Sequence, residues 1–175
     1  MRFNPDIHHR RSVRLGDYDY SGAGVYFVTV CVAGRECLFG ELAGGAVRLS
    51  DAGLAVTDCW LSIPHHFPQA DLDEYIVMPN HVHGIIVVDG RGTACRAQTA
   101  ESFGRPVTGS LATIIRSFKS AATKRINTQR DNPGVPVWQR SYYEHVIRDD
   151  RELAGIRQYI FDNPARWETD ENHPG

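Results

Sequence analysis

The chain has 175 residues, of which 42% are hydrophobic, and a formal net charge of −2. This length suits one domain and can bury a core without disulfides. The sequence predicts neither a membrane span nor a signal peptide. Its four scattered cysteines argue against a zinc knuckle or a disulfide framework and fit a reducing cytoplasm.

The first half of the chain predicts four strands and one helix. Runs of β-branched and aromatic residues predict the strands, which lie within residues 26–32, 40–47, 74–78 and 81–88. An apolar stripe at helical spacing follows Ser50 and Asp51, either of which can cap the helix, and Pro64 ends it. Pro79 and Asn80 are typical of a tight turn, so the last two strands are expected to form a hairpin.

The second half predicts two helices separated by one strand. Residues 90–107 show no hydrophobic period and predict a loop. Residues 110–127 combine an apolar stripe with a basic face, which indicates an amphipathic helix. Residues 138–147 predict a strand, and residues 151–161 predict a last helix, which Pro164 should stop.

This order of elements predicts an α+β fold. Short connections and the central hairpin favour an antiparallel sheet with helices packed mainly on one face, close to a ferredoxin-like arrangement. We expect a single domain over residues 21–167, preceded by a basic segment at 1–20 and followed by an acidic tail at 168–175.

Two histidines, His81 and His83, lie two residues apart on one predicted strand. Side chains at this spacing point to the same side, so the imidazoles are expected to lie next to each other, with Val82 on the other face. Paired imidazoles on a rigid strand favour a divalent-metal site. The pair is also compatible with ordinary polar residues on a half-exposed strand, because two histidines at this spacing are common, and both interpretations stand at this point.

Tyr159 and Asn163 lie four residues apart at the end of the last predicted helix, and therefore share a face. The amide oxygen of Asn163 can bind a hard cation. A phenol is a weak nucleophile at neutral pH because its pKa is near ~10, but a metal on the phosphate and a nearby base make attack feasible. A tyrosine on such a helix is more often part of the core or its rim.

Basic residues concentrate at the N-terminus and in the second half, although the chain is nearly neutral. A local basic face can bind phosphates, whereas a solvated mixed-charge surface is the alternative. The residues expected to contact DNA are Arg10, Arg11, Arg14, Arg116, Lys119, Arg140 and Arg148. Trp138, Tyr142 and Tyr143 offer rings for stacking on unpaired bases, unless they are core residues.

Several segments together resemble the REP-associated tyrosine transposases, which belong to the single-tyrosine HUH transposases. The resemblance extends from about residue 10 to residue 167, and its motifs occur in a specific order. They are RSVRL at 11–15, GVYFVTVC at 24–31, MPNHVHG at 78–84, FKS at 118–120, WQRSYYEHVIR at 138–148 and YIFDNP at 159–164.

The resemblance implies a role for each matched residue. His81 and His83 would be the two histidine ligands of a divalent metal, and Asn163 would be a third ligand. Mg²⁺ or Mn²⁺ is the expected ion because it suits phosphate chemistry, while imidazole ligands also accept Zn²⁺ or Ni²⁺ in a purified sample. Tyr159 would attack the DNA, forming a 5′-phosphotyrosine link and freeing a 3′-hydroxyl. The substrates would be single-stranded DNA hairpins from palindromic repeats. A homodimer stays open, because some relatives exchange the tyrosine helix between subunits and others act as monomers.

Three other functions stay open from the sequence. A domesticated hairpin-binding protein would need the basic surface but not Tyr159. A metal-dependent phosphoesterase would use activated water, so it would leave no protein–DNA adduct. A ferredoxin-like RNA-binding protein would expose aromatic residues on its sheet and need no metal.

Overall fold

The computed structural model describes residues 23–89 and 109–173 of the chain. The strands in these ranges are β1 (Gly24–Cys31), β2 (Gly40–Ala43), β3 (Ala46–Leu49), β4 (Ala70–Met78), β5 (His81–Val88) and β6 (Tyr143–Ile147). The α-helices are α1 (Asp51–Leu61), α2 (Ile63–His66), α3 (Leu111–Gln129) and α4 (Asp150–Asp162). A 3-10 turn at Ala33–Arg35 follows β1, and a 3-10 helix at Asn163–Thr169 follows α4.

Four of these strands form one antiparallel sheet in the order β4-β5-β1-β6. The helix α1 precedes β4, and α3 precedes β6, so the chain alternates strand, helix, strand, strand, helix, strand around the sheet. This is the ferredoxin-like order. The prediction of an α+β fold with an antiparallel sheet is therefore confirmed.

The larger hydrophobic core lies between the sheet and the pair α1 and α3. Trp60 of α1 and Phe118 of α3 meet edge to face, with ring centroids 5.2 Å apart. Gly84 of β5 lies under Trp60, where an added Cβ would come within 2.2 Å of the indole ring. The absence of a side chain at Gly84 thus lets the indole approach the sheet closely.

The opposite face of the sheet carries α4 and a smaller apolar cluster. The buried members of that cluster are Phe27, Ile85, Ile147 and Ile160. Asp149 caps α4 by accepting a hydrogen bond from the backbone N–H of Glu152 at 2.8 Å. Helices thus pack mainly on one face, and within the described residues α4 and the 3-10 helix that follows it lie on the face that receives the histidine side chains.

Several element boundaries differ from those predicted. Residues 40–47 were expected to hold one strand, but β2 and β3 form a separate two-stranded hairpin around Gly44 and Gly45, both at positive φ. β4 starts four residues before its predicted start and contains an irregularity between Leu72 and Tyr75, which weakens the period-two pattern there.

The C-terminal half also departs from prediction in two places. Residues 138–142 are not part of β6, and Trp138 makes only an isolated bridge to Val32. The chain continues as a 3-10 helix beyond Pro164, because proline is tolerated in the first turn of a helix, where no N–H donor is needed. The predicted loop at 90–107 lies outside the described residues.

None of the described helices has both the length and the apolar character that crossing a bilayer requires.

Candidate metal and tyrosine site

His81 and His83 lie side by side on β5, as the strand period predicts. Their ring centroids are 4.4 Å apart, and the two residues are 0% and 1% exposed. They are paired across the sheet with Cys31 and Thr29 of β1. The alternative of polar residues on a half-exposed strand does not fit this degree of burial, because buried imidazoles need partners.

Each histidine makes a short hydrogen bond through its Nδ1 atom. His81 Nδ1 lies 2.8 Å from Asn80 Oδ1, and His83 Nδ1 lies 2.9 Å from Thr29 Oγ1. These bonds occupy both Nδ1 atoms, so Nε2 is the ring nitrogen of each histidine that remains available as a ligand. His81 Nε2 is buried and has no hydrogen-bond partner.

Asn163 and Asp170 approach the histidines from the end of α4. Asn163 is 1% exposed, and its Nδ2 donates to Asp170 Oδ2 at 2.9 Å. Its Oδ1 is buried without a partner. Ligand atoms of His81, His83 and Asp170 all lie within 4.8 Å of one another. The predicted ligand Asn163 is therefore beside the histidines, and Asp170 joins them.

The sequence interpretation missed Asp170. It assigned residues 168–175 to an acidic tail, because Pro164 was expected to stop the last helix. The 3-10 helix instead turns the chain back over the sheet, and Trp167 stacks on His81 with centroids 5.9 Å apart. No local period pointed to Asp170, because it follows the 3-10 helix in an extended conformation and its position depends on how that helix packs.

The residues at this position fit a divalent cation. Two imidazoles, a carboxylate and an amide oxygen are a suitable donor set for such an ion. Two of these donors, His81 Nε2 and Asn163 Oδ1, are buried polar atoms without protein partners. Leaving such atoms unpaired is costly, so a bound cation would remove a real deficit.

Tyr159 places its hydroxyl at this cluster. Its oxygen lies 3.3 Å from His83 Nε2, and its ring packs edge-on against Phe27 with centroids 6.0 Å apart. The residue is half-buried. Burial, together with the carboxylates of Asp170 and Glu171, raises the pKa of Tyr159 to about 12. The phenol is therefore protonated at neutral pH unless a cation is near it.

Burial also controls the charge of the ligands. It lowers the pKa of His81 to about 4, and burial together with the neighbouring His81 lowers that of His83 to about 3. Burial alone would raise the pKa of Asp170, but hydrogen bonds from Asn172 and Asn163 and the nearby histidines give a net decrease. At neutral pH the site therefore offers neutral imidazoles and a carboxylate, which are the forms that bind metal.

Comparison with known proteins identifies the relatives of this chain. An uncharacterized protein of Haemophilus influenzae is 40% identical over 177 residues, covering 97% of this chain and 96% of its own. A candidate REP-associated tyrosine transposase of the same species is 24% identical over 148 residues, covering 85% of this chain and 74% of its own. This chain is thus similar to a REP-associated tyrosine transposase. No protein-family profile matches it.

The fold agrees with that of the REP-associated tyrosine transposases. The solved structure of one of them, bound to a REP hairpin, superposes with a TM-score of 0.58. The match covers 90% of this chain and 74% of that chain, at 16% sequence identity. At this identity the likeness establishes the shared fold, and the α+β architecture described above is that fold.

The cations that the sequence predicts to contact DNA differ in their surroundings. Arg116, Arg140 and Arg148 are exposed. Lys119 is half-buried, and its Nζ donates to the backbone carbonyls of Gln139 and Ser141 at 2.8 and 3.1 Å. Burial lowers the pKa of Lys119 to about 8. Lys119 is thus engaged within the protein, and the predicted Arg10, Arg11 and Arg14 lie outside the described residues.

The three aromatic residues considered for base stacking also differ. Trp138 is only 9% exposed and packs between Phe39 and Phe118, so it belongs to the core. Tyr142 is half-buried beneath the ammonium group of Lys119, whereas Tyr143 is 45% exposed. Of the three side chains, Tyr143 is the most accessible to an unpaired base.

Proposed function

We propose that the protein is a metal-dependent transposase that cleaves and rejoins single-stranded DNA at hairpin sites. The observation that carries the proposal is the hydroxyl of Tyr159 beside His83 Nε2, at the edge of a buried cluster of metal-binding donors. The relatedness to REP-associated tyrosine transposases and the hairpin bound by one of them support the substrate class.

His81, His83 and Asn163 would hold the cation, and Asp170 would complete or orient the set. Mg²⁺ or Mn²⁺ suits phosphate chemistry with these ligands. When bound, the cation would offset negative charge on the scissile phosphate and on the phenolic oxygen beside it. The donation from Asn163 Nδ2 to Asp170 keeps the amide oxygen turned towards the histidines.

Tyr159 would act as the nucleophile. Its oxygen would form a bond to the phosphorus as the bond from phosphorus to the 3′-oxygen breaks. The phenolic proton is released to solvent, and the departing 3′-oxygen takes up one proton from solvent to become a 3′-hydroxyl, so the number of protons balances. Because one phosphate ester replaces another, the step is reversible, and a 3′-hydroxyl can release Tyr159 and join a new strand.

The positions of the aromatic rings orient Tyr159 for this step. Phe27 contacts the tyrosine ring edge-on and stacks on His83 with ring centroids 5.4 Å apart. The helix α4 is also tied to the sheet by Arg157, whose Nε donates to Asp73 of β4 at 2.8 Å. The contact with Phe27 therefore holds the ring of Tyr159, and the ion pair of Arg157 holds the helix that carries it.

The test is a cleavage assay with hairpin DNA from the flanks of the gene. Wild type and Tyr159→Phe are incubated with Mg²⁺ or Mn²⁺, or with a chelator, and the products are separated on a denaturing gel. We expect a metal-dependent covalent adduct with wild type and none with Tyr159→Phe. The substitution removes one hydrogen bond of the hydroxyl, so the free energy of unfolding should fall by only about 1 kcal/mol.

Other products would indicate a different function. Cleavage without an adduct in wild type would identify a phosphoesterase that uses water. A shift on a native gel without cleavage would identify a hairpin-binding protein. Loss of folding in Tyr159→Phe would show that the tyrosine is a structural residue, in conflict with the proposal.

A further inference from the structure

The side-chain amide of Asn80 has a single orientation that satisfies its surroundings. Its Nδ2 donates to the backbone carbonyls of Asn172 and Arg35 at 2.7 and 3.1 Å. Carbonyl oxygens accept but cannot donate, so the nitrogen of the amide must face them. The remaining Oδ1 faces His81 Nδ1 at 2.8 Å.

This orientation decides which nitrogen of His81 carries the proton. The amide oxygen of Asn80 can only accept, so His81 Nδ1 must be the donor. In the neutral ring, a proton on Nδ1 leaves Nε2 with a free lone pair. That atom is one of the two candidate metal-ligand atoms that are buried without a hydrogen-bond partner.

Thr29 occupies the matching position beside His83. Its Oγ1 lies 2.9 Å from His83 Nδ1, and Thr29 is paired with His83 across the two strands β1 and β5. Tyr159 supplies a hydroxyl at 3.3 Å on the other side of the ring, and this hydroxyl can donate to Nε2. Both hydroxyls can donate or accept, so these contacts are compatible with the tautomer assigned to His81, in which Thr29 accepts from Nδ1–H and Tyr159 donates to Nε2.

We propose that Asn80 and Thr29 are the positioning residues of the histidine pair, holding both imidazoles as Nδ1–H tautomers so that both Nε2 lone pairs face the metal position. The inference rests on the proposed function only in naming a metal as the recipient of these lone pairs. Partners of this kind fix the orientation of a ligand and raise its basicity, and their removal commonly costs roughly 10- to 100-fold in metal affinity.

Two pairs of variants separate this role from a simple change in packing. Thr29→Val keeps the shape of the side chain but removes the acceptor, whereas Thr29→Ser keeps the hydroxyl. Asn80→Ala removes all the hydrogen bonds of the side chain, whereas Asn80→Asp keeps an oxygen facing His81 without the two donations to carbonyls. Thr57→Val is the matched control, because the Thr57 hydroxyl donates to Gly53 within α1, away from the site.

The direct measurement is nitrogen-15 NMR of the imidazoles in the full chain with a chelator, followed by calorimetric titration with Mn²⁺. In wild type, Thr29→Ser and Thr57→Val, we expect the Nδ1–H tautomer at both histidines. Thr29→Val should shift His83 towards the Nε2–H form and weaken Mn²⁺ binding about tenfold or more. Asn80→Ala should do the same at His81, and Asn80→Asp should keep the wild-type tautomer there.

Unchanged tautomers in both Thr29→Val and Asn80→Ala would overturn the inference, as would the Nε2–H form in the wild-type protein. Failure of the proposed function looks different. Wild-type protein with both Nδ1–H tautomers, but with no covalent adduct on hairpin DNA, would refute the transposase and leave the positioning role supported.

Discussion

At the scale of single residues, burial keeps the two histidines neutral. The pKa of His81 is about 4 and that of His83 about 3 in the fold, whereas an unfolded chain titrates near ~6.5. Between these values the unfolded chain binds more protons than the folded one. Stability must therefore fall as the pH decreases through this window. Asp170, whose pKa is also lowered by folding, acts in the same direction at lower pH.

This protonation difference predicts a clear pH dependence in metal-free protein. The free energy of unfolding should decrease from about pH 7 to about pH 5. At pH values below the unfolded pKa of histidine, each of the two histidines should lower it by on the order of 1.4 kcal/mol per pH unit. Urea unfolding in the presence of chelator measures the effect. The double variant His81→Gln, His83→Gln should lose most of it, and equal stability of wild type at the two pH values would refute the assigned protonation states.

At the scale of elements, β5 links the core to the site. Its residues alternate between the two faces of the sheet, so Val82 and Ile86 enter the larger core while His81 and His83 face α4. Gly84 lies between Val82 and Ile86 on the core side, directly under Trp60. A displacement of β5 caused by a larger residue at this position would therefore move the histidines as well.

A pair of glycine substitutions tests this coupling. Gly84→Ala places a Cβ within 2.2 Å of the Trp60 ring, so we expect a decrease of about 1–3 kcal/mol in the free energy of unfolding and weaker Mn²⁺ binding. Gly155→Ala in α4 is the control, because no atom lies within 4 Å of the added Cβ. That variant should gain about 0.5–1 kcal/mol. Equal effects in thermal unfolding would contradict the packing assigned to Gly84.

The sequence was sufficient to predict the elements that local patterns determine. A period of two placed His81 and His83 on one side of a strand, and the spacing of four placed Tyr159 and Asn163 on one face of a helix. Asp170 could not be placed in this way, because its position depends on how the chain turns after Pro164 and packs Trp167 on His81. Such long-range packing leaves no local period in the sequence.

At the scale of the whole molecule, the near-neutral charge requires DNA affinity to come from local cations. The exposed members of the predicted set in the described part of the chain are Arg116, Arg140 and Arg148. Phosphate contacts made by such residues release counterions, so binding should weaken as salt increases. Lys119, which is held by two backbone carbonyls, should contribute more to the fold than to DNA affinity.

Neutralising these arginines should change hairpin binding in a measurable way. We expect the triple variant Arg116→Gln, Arg140→Gln, Arg148→Gln to bind more weakly, with a salt slope smaller by about 0.7–0.9 for each phosphate that the variant no longer neutralises. Arg48→Gln is the control, because Arg48 is paired with Glu41 on the separate β2–β3 hairpin. Fluorescence anisotropy over a salt series measures both quantities, and an unchanged slope in the triple variant would exclude these arginines from the interface.

We propose that Tyr159 becomes covalently joined to DNA beside the candidate metal site. Mass spectrometry of the digested wild-type adduct, formed on hairpin DNA with Mn²⁺, locates the attachment. We expect the peptide containing Tyr159 to carry the nucleotide through a 5′-phosphate on the phenolic oxygen. A nucleotide attached to any other residue, or cleaved DNA with no modified peptide, would contradict it.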